Sequence, residues 1–241
     1  MKILFISICC ALCMAVNAQP TITKSYPVQP GEQVNLRFDY PVVKISTWDK
    51  NEVSVTAHVD IDDHEYDSAF KLKSETVNGA LVISDEITNI DQIPRRYTVV
   101  RNGVKTVYKS KEEYKEAEKK GDIQQTYEGN DINTDVEVKV PSSCVTEVNA
   151  IYGIVELINF NASVKVNAEY GGIDATISTA NTGKLKATTQ YGQIYSNLDM
   201  KITDHEEHDF YNSITAEPGK GPTYTFSSPY GKIYLRKPAG Q

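Results

Sequence analysis

Apolar and polar residues alternate along much of this chain. Val34, Leu36 and Phe38 are separated by Asn35 and Arg37, and Val164, Val166 and Ala168 by Lys165 and Asn167. Leu185 and Ala187, and Tyr224 and Phe226, continue the pattern. A period of two is that of a strand with one buried face. Several of these runs end at a tyrosine followed by glycine: Tyr152-Gly153, Tyr170-Gly171, Tyr191-Gly192 and Tyr230-Gly231. Past the tyrosine the apolar set returns three and five positions on, as Val155/Leu157, Ile173/Ala175 and Ile233/Leu235. That is the opposite parity, so one residue of phase is lost at Tyr-Gly, as a bend or bulge would do.

The tyrosines recur about every twenty residues, a solenoid period, once Tyr211-Asn212 is counted as a copy with Asn in place of Gly. Each unit then reads strand, corner, strand, turn, and cannot bury its apolar face alone. Stacking units about 4.8 Å apart makes a continuous core. The pattern predicts an all-β fold, a single-stranded parallel β-helix, right-handed by the usual crossover preference. Val155, Ile173, Ile194, Ile214 and Ile233 should share one inward column. The corner glycines should have backbone angles that other residues avoid, with Asn212 tolerated for the same reason. The tyrosines should stack in a corner ladder.

Outward positions just after the corner are Lys44, Glu156, Asp174, Tyr195, Thr215 and Tyr234. In chain order Tyr195 and Tyr234 stand two units apart, about 9.6 Å by the strand spacing. They are the candidate partner contacts.

Gly31 to Val59 reads as an N-terminal unit with Tyr40-Pro41 at its corner, and Phe70 to Ser84 as two strands joined at Asn78-Gly79. Residues 86–130 break the repeat. They contain a hairpin around Asn102-Gly103 and a polar helix with Ser110 as N-cap, Glu113 completing a capping box and Gly121 as the stop. The segment reads as an insertion in one domain spanning 19–241.

The runs "ISTWDKNEVSVTAHV" and "VEVKVPSS", followed by the Tyr-Gly-x-Ile ladder, resemble the putative-adhesin family of bacterial exported proteins, a β-strand-repeat domain of unknown function. The resemblance covers roughly 30–85 and 134–237. It implies a parallel β-helix and an adhesin-like role, and it brings no catalytic residues. The long insertion and the degenerate unit at Tyr211 depart from the family pattern.

Residues 1–18 have the form of an export signal: Lys2, an apolar run from Ile3 to Val16, and Ala18 at the expected cut before Gln19. The run is short for a membrane span. No later apolar run approaches it, so no membrane segment is expected in the mature chain. Three cysteines, Cys9, Cys10 and Cys13, fall in this segment; Ile8 and Leu12 precede two of them where lipid attachment wants a small residue. Cleavage leaves Cys144, which has no internal disulfide partner. Export to the periplasm, the outer surface or the medium is the expectation. A net charge of −7 argues against nucleic acid and anionic lipid as partners. An envelope protein or a glycan remains.

Candidate chemistry is sparse. "DHEEHDF" places His205, Glu206, Glu207, His208 and Asp209 together, without the His-Glu-x-x-His spacing of a helical zinc site. "DIDDHEYD" (Asp60, Asp62, Asp63, His64, Glu65, Asp67) lacks the glycine and final glutamate of a calcium loop. Both read as solvated loops, so no metal or other cofactor is expected. Glu156 and Asp174 should sit on adjacent units, and paired carboxylates serve glycan hydrolases and lyases. The sequence points first to a non-catalytic adhesin-like or envelope module, and second to a β-helix enzyme acting on polysaccharide.

Overall fold

The computed structural model describes residues 21–239. The expected export signal, its three cysteines and the expected cut lie outside the described residues. The fold is mostly β with one short helix.

The chain opens with β1 (Thr21–Pro27), β2 (Gln33–Phe38), β3 (Val42–Trp48) and β4 (Glu52–Ile61). β5 (Phe70–Val77) and β6 (Ala80–Ile87) form a hairpin. Its turn residues Asn78 and Gly79 have φ of 53° and 81°, the left-handed pair that a two-residue hairpin turn requires. Next come β7 (Arg96–Arg101), β8 (Val104–Tyr108), α1 (Lys111–Glu118) and β9 (Gln125–Gly129). β10 (Ile132–Pro141), β11 (Val145–Ala150), β12 (Ile154–Ile158), β13 (Val164–Ala168) and β14 (Gly172–Thr176) follow. The chain continues through β15 (Lys184–Thr189), β16 (Ile194–Ser196), β17 (Ile202–His208), β18 (Tyr211–Ala216), β19 (Thr223–Ser227) and β20 (Ile233–Arg236).

Two large mixed sheets result. The first has the order β1-β4-β10-β3-β12-β14-β20-β16, parallel from β10 to β16. The second has the order β17-β18-β15-β19-β13-β11-β2-β6-β5, parallel from β15 to β6. Side chains from both sheets share one core. The alternation in the sequence becomes rows of buried residues: Leu36, Val148, Val166, Phe226 and Ala187 across the second sheet, and Val43, Val155, Ile173 and Ile233 across the first. Each strand pair β2/β3, β11/β12, β13/β14, β19/β20 and β15/β16 occupies the same place in both sheets.

The stacking order differs from the expected chain order. β19/β20 inserts between β13/β14 and β15/β16. Ile233 therefore pairs with both Ile173 and Ile194. Ile214 leaves the expected column: it lies on β18 in the second sheet, opposite Ala187. β17 and β18 form an antiparallel hairpin that closes that end of the second sheet.

The corner explains why. None of Gly153, Gly171, Gly192 and Gly231 has a left-handed φ; among the described residues the glycines that do are Gly31, Gly79, Gly103 and Gly121. The expectation of special backbone angles is thus corrected, and close approach takes its place. A β-carbon on Gly153 would lie 1.7 Å from the Pro41 carbonyl oxygen, and one on Gly171 2.0 Å from that of Gly153. For Gly231 the figure is 1.8 Å to Gly171, and for Gly192 1.8 Å to Gly231. No side chain fits such a gap, so Asn212 cannot close a corner and its segment turns back as a hairpin. Pro41 takes the first place in the series, where its carbonyl receives Gly153.

Residues 96–129 form a third sheet, β8-β7-β9, with α1 beside it. Ser110 caps α1 by accepting the Glu113 N–H at 3.2 Å, and Glu113 accepts from the Lys109 N–H at 3.3 Å. The third strand, β9, carries no apolar alternation and was not legible in the sequence. The base of this unit is tied to the loop after β4. Arg96 and Asp62 are both buried, with Arg96 Nε 3.8 Å from Asp62 Oδ1. Asp62 also accepts the Asp131 N–H at 2.8 Å and Asn130 Nδ2 at 3.0 Å.

Candidate functional site

The corners line up the tyrosines. Rings of Tyr40, Tyr152, Tyr170, Tyr230 and Tyr191 stack in that order at centroid distances of 5.1–5.6 Å, and Phe210 completes the series 5.3 Å from Tyr191. The backbone holds the register: Tyr152, Tyr170, Tyr230 and Tyr191 each donate an N–H to the neighbouring turn at 2.7–3.2 Å. Below the last two corners, buried Ser228 accepts the Gly231 N–H at 3.2 Å and buried Thr189 that of Gly192 at 3.0 Å. Tyr211 lies outside the column; its ring meets His208 edge-on. Phe210, which sequence reasoning passed over, takes the terminal place, and no repeat signal points to it.

Each ring between the ends has a neighbour on both faces, so the column presents ring edges and hydroxyls. Exposure runs from 37% at Tyr40 to 67% at Phe210, a continuous half-exposed strip. Burial and the neighbouring Asp39 raise the Tyr40 phenol above its ordinary range, and Glu169 chiefly does the same to Tyr170. The Tyr40 and Tyr170 hydroxyls are therefore neutral donors at physiological pH.

Beside the ladder runs a second outward row. Consecutive strands of the first sheet place Glu137, Lys44, Glu156, Asp174, Tyr234 and Tyr195 side by side. Tyr195 and Tyr234 are thus direct neighbours, not two units apart, because β20 pairs with β16. Their rings stack at 5.1 Å. The Arg236 guanidinium lies 4.9 Å from the Tyr234 ring and grips Asp174 with two bonds of 2.6 and 2.9 Å. This pairing raises the Arg236 pKa. Tyr234 is flanked on both sides and has no free face for a ligand. Between the ladder and this row, Gly172 lies opposite Ile154 and against the Lys232 backbone, and these residues line an open notch of about 410 Å³.

The two acidic clusters fare differently. His205 and His208 both lie on exposed β17, where an odd offset turns them to opposite faces; each sits near a glutamate two residues away, Glu207 at 3.6 Å and Glu206 at 3.7 Å. In the other cluster, Asp62 turns inward to Arg96, while Asp60, His64 and Asp67 bring ligand atoms within 4.8 Å of one another and could hold a cation. Internal bonds already engage them: Asp60 accepts the His64 N–H at 3.0 Å, and Asp67 accepts the Ile61 N–H and meets His64 Nδ1, each at 2.8 Å. That last bond raises the His64 pKa. Cys144 is buried, and burial pushes its thiol pKa up, away from the reactive thiolate.

No family model matches the chain, and no curated protein matches it by sequence. A solved structure described as a putative cell adhesion protein from Clostridium sporogenes is structurally similar, with a TM-score of 0.46 and 10% identity, over 91% of this chain and 100% of that one. Among the described residues no helix is long and apolar enough to cross a membrane.

Proposed function

We propose that the chain is an exported, non-catalytic, adhesin-like binding module. In this reading it is a right-handed β-solenoid of the exported adhesin-like type, with residues 96–129 as a side insertion, and its tyrosine strip contacts an extended glycan or an envelope protein. The observation that carries the proposal is the six-ring column, half-exposed, with its four inner rings held on both faces. Tyrosine gives large amphipathic contact area at low conformational cost, and stacking removes most of the remaining freedom before a partner arrives. The acidic charge balance argues against nucleic acid, and the expected export signal agrees with a partner outside the cytoplasm.

Affinity should be measured against a panel of glycans and envelope proteins, and again after Tyr152→Ser with Tyr191→Ser. We expect at least a tenfold loss with the far-UV spectrum retained. Unchanged affinity in the folded double variant would reject the strip.

One observation favours a second reading, a polysaccharide lyase or hydrolase: Glu156 and Asp174 do lie side by side. Two hydrogen bonds from Arg236 occupy both oxygens of the Asp174 carboxylate, so Glu156 faces no free second carboxylate, which supports the non-catalytic reading. Polysaccharide turnover abolished by Glu156→Gln would reverse the choice.

A further inference from the structure

We propose that the notch over Gly172 is a subsite for one neutral pyranose ring of a glycan. The proposal rests on the reading of this face as a contact surface and adds the class of ligand.

Its size comes first. About 410 Å³ falls in the lower part of the range of small-ligand pockets, roughly 300–1,000 Å³. Its floor is Gly172: two past the corner tyrosine the neighbouring units carry Ile154 and Lys232, and Gly172 between them carries no side chain and lies against the Lys232 backbone. One wall is Ile154, 45% exposed, with the edge of Tyr230; the other is Glu156, Asp174 and Tyr234.

Charge decides the ligand class. Along this face Glu137, Glu156 and Asp174 are balanced by Lys44, Lys232 and Arg236. An anion meets the carboxylates, a cation meets the ammonium and guanidinium groups, and neither gains net attraction. A flat aromatic ligand finds no free ring face, since Tyr230 is covered by Tyr170 and Tyr191, and Tyr234 by Tyr195 and Arg236. A neutral ring rich in hydroxyls suits what is left. Its hydroxyls donate to the Glu156 carboxylate, the Lys232 ammonium donates to its oxygens, and its C–H face lies on Ile154. Hydrogen bonds with one charged partner are the stronger kind. The adjoining strip would carry the flanking sugars.

The test is calorimetric titration with cellohexaose and mannohexaose as neutral probes, and with hexagalacturonate and a chitosan hexamer as charged ones. We expect a neutral hexamer to bind better than both charged ones. Ile154→Trp, which fills the notch from an exposed position, and Glu156→Ala should each weaken it at least tenfold. Val145→Ser, on the second sheet, should leave it unchanged. Preference for a charged hexamer, or no binding of either neutral one, overturns the subsite. Neutral binding that ignores both notch variants but falls with Tyr152→Ser and Tyr191→Ser overturns the subsite and keeps the strip. Binding that ignores all four substitutions overturns both.

Discussion

Gly192 lies so close to Gly231 that a β-carbon on the first would stand 1.8 Å from the carbonyl oxygen of the second. The contact is backbone against backbone, so no rotamer change relieves it. Gly192→Ala should cost on the order of 3–5 kcal/mol, at the overpacking extreme of single substitutions. Gly103→Ala is the contrast: φ is +76° there with open space around it, and the strain should be about 1 kcal/mol. Urea denaturation of both variants checks the order. A Gly192→Ala protein as stable as the Gly103→Ala one would show that the corners can spread.

Stacked Tyr195 and Tyr234 should be energetically coupled. A double-mutant cycle to alanine is expected to give about 0.5–1.5 kcal/mol, the usual worth of an aromatic pair. Strict additivity would mean that the rings only cover the sheet.

Arg96→Ala should loosen the insertion. It leaves Asp62 buried with two neutral donors and no cation, at a cost of about 2–4 kcal/mol. Limited proteolysis should then cut within 96–129 well before the two large sheets. Cleavage at the parent rate would show that the backbone bonds of Asp131 suffice.

Asp85 supplies a pH dependence. Burial pushes its carboxyl up to about 6 from 3.8, against the Asp39 N–H it accepts at 3.0 Å. Between those values the folded chain holds a proton that the unfolded chain has released. Stability from this group therefore falls as pH rises from about 4 to 6, and stays lower at pH 7. Asp85→Asn should stabilise the fold more at pH 7 than at pH 4, by about 2–3 kcal/mol, read as a larger rise in melting temperature at pH 7. Equal gains at both pH values would count against the shift.

The strands and the inward rows were legible because alternation is a direct record of burial, as Val164, Val166 and Ala168 show. The glycine corners were legible as corners but not in their cause. A sequence shows that Gly192 is small, not whether the space it spares belongs to its own φ or to Gly231. That distinction decides the place of Asn212, which left-handed φ would admit and a backbone contact excludes. The exchange of β20 and β16 was hidden for a related reason: both units carry the same Tyr-Gly-x-Ile, so nothing local says which lies next to β14. The outward pair Tyr195 and Tyr234 was read in the right row at the wrong spacing. The notch at Gly172 was unreadable, because it arises from neighbours more than fifteen residues away in one direction and sixty in the other.

The same exchange has a consequence for the route of folding. Residues 184–196 leave the ribosome before 223–236, yet in the finished protein the later segment separates them from β13 and β14. While it is missing, β13 and β14 offer an open edge to the first unit that carries a matching corner, and residues 184–196 carry one. A chain caught in that pairing has correct strands in the wrong neighbourhood and must open again to admit the latecomer. The repeat that makes the units stack also makes them interchangeable, so the order of synthesis competes with the order of the fold.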